Sequence, residues 1–181
     1  MDFSELIIKR QSTRKYLDKP IEQDKLERCI EAARLAPSAC NAQPWKFVVV
    51  NDPELKNAVA DQTSDRILPL NHFTRQAPVH IVIVLERPNF TSAVGSAVKN
   101  KFYPMMDVGI AAEHICLHAT EEGLGACILG WFNEKPVKKL LNIPRHKRVP
   151  LIITLGYSAE TKLREKIRKP FDKIVSYNSY S

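Results

Sequence analysis

Arg10, Ser12 and Arg14 stand at alternate positions, two guanidiniums flanking a hydroxyl. In an extended segment, alternate side chains share one side. That spacing makes a clamp for a phosphate or carboxylate, which a guanidinium grips through paired charge-assisted hydrogen bonds. The plainer reading is a solvated surface segment, where charged residues are common. A second polar stretch is residues 36–47. Pro37 and Pro44 both forbid a helix through it, and Ser38, Asn41 and Gln43 stand between them. Each of the three can donate and accept. So many hydrogen-bonding groups beside an apolar run at 47–50 suit a held polar ligand. A turn closed by an Asx-type hydrogen bond is the alternative.

Two further stretches join these. Residues 123–130 read Gly-Leu-Gly-Ala-Cys-Ile-Leu-Gly, and Lys166-Ile-Arg168-Lys-Pro170 lies near the end. The ordered set resembles the nitroreductase family of FMN-dependent flavoproteins. That family opens on an Arg-x-Ser-x-Arg (or Lys) grip and follows with a Pro-Ser-x-x-Asn-x-Gln-Pro-Trp loop. A Gly-rich turn and a late Lys-x-Arg-x-Pro complete it. Here the four motifs run in that order over nearly the whole chain.

The 181 residues suit one domain with a real core. Hydrophobic residues at 44% and charged residues at 26% describe an ordinary globular chain. No apolar run approaches the roughly 20 residues of a membrane span. The start, Met-Asp-Phe-Ser-Glu, lacks the basic and apolar parts of a signal peptide, so a cytoplasmic location is expected. The net charge of +7 is spread over clusters at 10–15, 145–148 and 162–169, without a basic stripe interleaved with aromatics. A phosphate-bearing cofactor and reductant would use such charge, and so would nucleic acid, which remains the reading from charge alone. Cys29, Cys40, Cys116 and Cys127 form no C-x-x-C pair. Cys29 and Cys116 fall on apolar helix faces as small hydrophobes. His114 and His118 have the i, i+4 spacing of helical metal ligands, but no Glu-x-x-His signature or third ligand accompanies them, and no metal is expected.

The elements that must carry these groups follow from periodicity. Asp2 caps a helix over 3–9 with Phe3, Leu6 and Ile7 on one face. An amphipathic helix spans 21–35 through Leu26, Cys29, Ile30 and Ala33. After a buried strand at 47–50, Asn51 or Asp52 caps a helix that has Pro53 at its first turn and runs to about 61. Residues 63–76 read as irregular, and 79–85 as a fully buried strand. Residues 105–122 form the longest helical pattern and are apolar nearly all round, so burial must come from the core or from a second copy. Gly123 ends that helix. Residues 126–132 read as a strand containing Gly130, and glycine inside a strand marks a bulge or a close approach to a ligand. Asn133 caps a helix over 135–141, and 149–157 is the last core strand. The tail, 158–181, has little periodicity yet carries Phe171, Ile174, Val175, Tyr177 and Tyr180. Apolar strands between helices give an α+β domain with a central mixed, mostly antiparallel sheet. No G-x-G-x-x-G follows the first strand, so no dedicated dinucleotide domain is present.

The resemblance implies the rest. FMN lies at the interface of an intertwined homodimer whose long apolar helix packs on its partner and whose tail, 158–181, wraps the other subunit. Arg10, Ser12, Lys166 and Arg168 hold the phosphate and ribityl chain, and Arg14 the reduced ring. Pro37, Ser38, Ala39 and Asn41 reach the flavin from the other subunit. The backbone of Ile128, Leu129 and Gly130 lies against the ring, and Asn71 touches it. Residues 90–103 cover the substrate side. NADH or NADPH delivers hydride to flavin N5 and leaves; a nitroaromatic, quinone or similar acceptor then takes the electrons, without a side-chain nucleophile. Leu129 stands where some members carry an acid, and Cys127 where proline is common; both leave backbone contacts available and bear on substrate preference. Ene reduction, dehalogenation and flavin fragmentation are alternatives on the same fold.

Overall fold

The computed structural model describes residues 1–64, 70–87 and 101–180. Among the described residues, five helices and four strands follow in order: α1 Phe3–Lys9, α2 Gln23–Arg34, β1 Trp45–Val50, α3 Pro53–Asp61, β2 Val79–Leu85, α4 Tyr103–Glu121, β3 Gly125–Leu129, α5 Glu134–Leu140 and β4 Arg148–Gly156. The strand order is β1-β2-β4-β3, and all three pairings are antiparallel. The four-stranded sheet is thus antiparallel rather than mixed; one isolated parallel bridge, Ser12 to Ala126, lies outside its strands.

Alternation along the strands divides the interior. Ile81 and Ile83 of β2 point to the side covered by α2 and α4, with Leu26, Cys29, Val108, Ala112 and Ile115. Val82 and Val84 point to the other side, with Val59 of α3 and Val137 of α5. Period 2 in a strand sends neighbouring side chains to opposite faces, so β2 is buried on both. Cys29 and Cys116 sit in the first core, where burial pushes both thiols up to about 12. They are inert packing groups.

Local chemistry explains most boundaries. The Asp2 carboxylate accepts from the Glu5 N–H at 2.9 Å and starts α1. Asp52 does the same for Leu55 at 2.8 Å, with Pro53 in the first turn of α3. Gly123, at φ +75°, ends the α4 segment in the left-handed region that glycine enters freely. Of the α1 face that carries Phe3, Leu6 and Ile7, Leu6 alone is buried and the other two are exposed. One expectation of a cap needs correction. Asn133 precedes α5 without a side-chain cap; the Glu134 carboxylate reaches across to the Val149 N–H at 2.9 Å.

His80 on β2 is fully buried, and neither ring nitrogen has a hydrogen-bond partner among the described residues. Burial, and after it repulsion from Lys56, lowers its pKa from 6.5 to about 3. Between these values the unfolded chain binds a proton that the folded chain does not, so stability falls as pH falls. The slope from this group is at most about 1.4 kcal/mol per pH unit. His80→Leu is expected to flatten this acid arm. Urea midpoints measured near neutral pH and near pH ~4.5 should lie closer together in the variant. An unchanged separation would assign the acid lability to other groups.

Candidate functional site

The segment after α1 is extended, as alternation requires, and lies along β3. The Thr13 N–H donates to the Ala126 carbonyl at 2.9 Å, and Tyr16 bridges to Ser158. Thr13 is 2% exposed and Tyr16 6%, both turned into the protein. The Tyr16 hydroxyl meets Thr154 Oγ1 at 2.8 Å. Inward anchors at 13 and 16 leave Ser12 half-buried and Arg14 exposed. Both line a cavity of about 250 Å³ together with Arg10 and, from the tail, Arg164, Lys166 and Arg168. The first and third basic clusters of the sequence thus meet in one place.

The Arg10 guanidinium grips Glu113 of α4 through two hydrogen bonds of 3.0 Å. Lys166 Nζ donates to the Ile8 carbonyl and the Arg164 guanidinium to that of Ser12. The Arg164 N–H donates to Gln11 Oε1 at 3.1 Å. Sequence reasoning missed Arg164 and Glu113. The alternation Arg164-x-Lys166-x-Arg168 repeats the spacing of Arg10-x-Ser12-x-Arg14 and was a usable signal for the former. No local signal marks Glu113, which a long-range fold brings to Arg10. Lys166 is held below the ordinary lysine pKa, first by desolvation and then by repulsion from Arg168, Arg10 and Arg164. Cations gathered in a concave site can hold an anion.

Beyond this cluster β3 runs on to Leu129. Cys127 and Leu129 are buried, while Ile128 is exposed. Gly130 lies past the end of the strand, which corrects its placement inside one. Pairing stops at Leu129–Ile152, and the Asn133 N–H then bonds the Gln62 carbonyl at 2.8 Å, drawing the chain off the sheet. A Cβ at Gly130 would meet nothing within 4 Å, so open space adjoins this backbone. A cavity of about 240 Å³ beside it is lined by Gly130, Trp131, Gln62 and Asn133. Asn71, left-handed at φ 57°, donates from Nδ2 to the carbonyls of Thr63 and Trp131, both at 3.2 Å. Asn71 thereby braces the turn after Gly130. Most of the expected cover, 90–103, lies outside the described residues.

The loop between Pro37 and Pro44 contains a single 3₁₀ turn, Ala39–Asn41. Cys40, Asn41 and Gln43 have φ of 53°, 50° and 45°. Left-handed backbone outside glycine costs about 1–2 kcal/mol per residue, and such strain gathers at functional sites. Ser38 Oγ accepts from the Gln43 N–H at 2.9 Å, and Asn41 Oδ1 from Gln43 Nε2 at 3.0 Å. The Ala39 N–H donates to Asp107 Oδ1 of α4 at 3.1 Å. Asp107 and Glu113 are six residues apart, about 9 Å along the helix. Pro37, Ser38, Ala39 and Asn41 therefore stand apart from Arg10, and they line neither the cation cavity nor the one at Gly130.

Among the described residues no three His, Cys, Asp or Glu side chains gather as a metal site, and no helix is long and apolar enough to cross a membrane. The model of the nitroreductase family matches residues 7–157. The chain belongs to the nitroreductase family. An NADH dehydrogenase of Thermus thermophilus is 28% identical over 196 residues, covering 97% of this chain and 95% of its own. Iodotyrosine deiodinase 1 of Homo sapiens is 26% identical over 197 residues, 96% of this chain and 68% of its own. The solved structure of an FMN-dependent nitroreductase from Clostridium difficile has a TM-score of 0.76 at 31% identity, covering 97% and 98% of the two chains. In this nitroreductase-family chain, the ordered motifs fall on two partial sites: cations with the β3 end, and a strained loop on α4.

Proposed function

We propose that the protein is a cytoplasmic FMN-dependent oxidoreductase that moves reducing equivalents from NADH or NADPH to a nitroaromatic, quinone or similar acceptor. The observation that carries this reading is the cavity lined by Arg10, Arg14, Arg164, Lys166 and Arg168, in which Arg168, Arg10 and Arg164 repel Lys166. A phosphate dianion relieves that repulsion, and Ser12 adds a hydroxyl between the two guanidiniums. Open space at Gly130 fits a flat ring laid against the backbone of Ile128, Leu129 and Gly130. When bound, FMN supplies two-electron chemistry, taking hydride at N5 from the nicotinamide and passing it on. The protein's part is to hold and to tune. Arg10, Ser12, Lys166 and Arg168 anchor the phosphate and ribityl chain. Arg14 supplies fixed positive charge where reduction adds negative charge. Asn71 keeps the turn after Gly130 in place.

The reading includes a homodimer with FMN at its interface, so that Pro37, Ser38, Ala39 and Asn41 of one chain complete the site of the other. Exposed Met105, Met106 and Ile110 on α4, with Phe3 and Ile7 on α1, support it. So does the tail, where Ile167 is 90% and Tyr177 77% exposed in the single chain. Apolar groups so exposed gain by burial against a partner. Among the described residues strand β1 is paired on one side only, leaving an edge that an exchanged tail would cover.

The deciding experiment is an absorbance spectrum of the purified protein, with NADH and then NADPH added anaerobically. A yellow protein that bleaches, and recovers with a nitroaromatic or quinone, supports the proposal and names the preferred nicotinamide. A colourless protein that takes up no FMN overturns it. The deiodinase relative favours reductive dehalogenation as the second reading; recovery with an iodophenol, and with neither other acceptor, would select it. Arg14→Gln is expected to leave binding of oxidised FMN within about threefold and to lower its reduction potential by about 30 mV, equivalent to about 1.4 kcal/mol. An unchanged potential would remove Arg14 from the tuning role.

A further inference from the structure

We infer that Asp107 is a positioning residue of the active site, acting through Ala39 to hold the loop at residues 37–43 in the conformation that meets the flavin. The inference deepens the flavoprotein reading and rests on it. Asp107 is 4% exposed on a helix whose inward neighbours, Val108, Ala111 and Ala112, are apolar. Its Oδ1 accepts from the Ala39 N–H at 3.1 Å, while Oδ2 is buried without a hydrogen-bond partner among the described residues. A buried carboxylate oxygen left unmatched is costly, and an apolar side chain would pack this face at less cost. What this carboxylate holds, it holds through Oδ1.

The contact falls at the first residue of the 3₁₀ turn, directly before Cys40 and Asn41 enter the left-handed region. The Ser38–Gln43 and Asn41–Gln43 bonds close the loop on itself. The Asp107 bond ties it to α4. Glu113, six residues on, holds Arg10. One helix thus registers both partial sites, the carboxylate at 107 setting the loop and the one at 113 the phosphate grip. An untied loop can still form, but Ser38 and Asn41 then sample several orientations, and binding selects the competent fraction.

The test uses the whole chain with two variants that cut the contact from opposite sides. Asp107→Leu removes the acceptor and keeps α4 apolar. Ala39→Pro removes the donor; Ser38, at φ −145° and ψ 154°, already has the extended backbone that a following proline requires. FMN and riboflavin affinities, visible circular dichroism of bound FMN and melting of the flavin-free protein are measured for each. Both variants are expected to bind FMN and riboflavin about tenfold more weakly, by the same factor for each flavin, with an altered visible band. The double variant should be no worse than either single, the mark of one shared contact. Asp107→Asn, which keeps an acceptor oxygen, should stay within about threefold of the parent. Wild-type affinity in Ala39→Pro, additive losses in the double variant, or loss of FMN with riboflavin spared would each overturn the inference. A parent chain that binds neither flavin would instead overturn the flavoprotein reading.

Discussion

Replacing Arg10 and Arg168 together by alanine is expected to weaken FMN binding by about two to three orders of magnitude while riboflavin binding stays within about threefold. A charge-assisted hydrogen bond is worth about 1.5–3 kcal/mol. Both side chains are partly solvated, so the lower end applies, about 3–4 kcal/mol for the pair, at about 1.4 kcal/mol per tenfold. The variant should fold. The Arg168 guanidinium donates to the carbonyl of its exposed neighbour Ile167, away from the core. Glu113, left behind by Arg10, is 37% exposed and can be hydrated. Riboflavin lacks the phosphate and therefore controls for general damage. Raising salt should reduce the parent's FMN affinity more than the variant's. Equal loss of both flavins would show that the two arginines support the fold rather than the phosphate, and unchanged FMN affinity would move the anion site elsewhere.

Gly125→Ala is expected to cost about 2–4 kcal/mol of stability, the range for overpacking a site that cannot relax freely. A Cβ at Gly125 would lie 2.4 Å from Thr13 Oγ1 and 2.8 Å from both Thr13 Cβ and Cγ2. Thr13 is 2% exposed and its N–H is bonded to Ala126, so it cannot simply swing away. The displacement would carry Ser12 and Arg14 with it, and FMN affinity should fall alongside the melting temperature. Thr13→Gly in the same chain should recover part of the loss, read as a favourable coupling in a double-mutant cycle. A Gly125→Ala protein as stable as the parent would mean that the extended segment is not pressed against β3.

How far the sequence could be read depended on the range of the interactions involved. β2 is apolar from Val79 to Leu85 apart from His80, and its bounds were legible because burial on both faces leaves little room for polar residues. The caps at Asp2 and Asp52 were legible because a cap joins residues three apart. The shared side of Arg10, Ser12 and Arg14 was legible as a pattern because alternation is built into extended backbone. The role of Gly125 was not legible locally. Two residues past the helix-ending Gly123 it looks like part of a stop signal, whereas its lack of a side chain answers to Thr13, far back in the chain. The end of β3 just before Gly130 was not legible, because local pattern does not show where a pairing partner ends.

By itself the sequence determined the order of the described elements, the two-faced burial of β2, the family motifs and the surplus of positive charge, all of which depend on residue types and their spacing. The tertiary structure decided which charges share a cavity. It brought Arg164 and Lys166 back to Ser12, set Glu113 against Arg10, and put Asp107 under Ala39 with one oxygen unmatched. Those contacts join residues that are distant in the chain, and only the packing of α4, β3 and the tail brings their charges and donors within bonding distance.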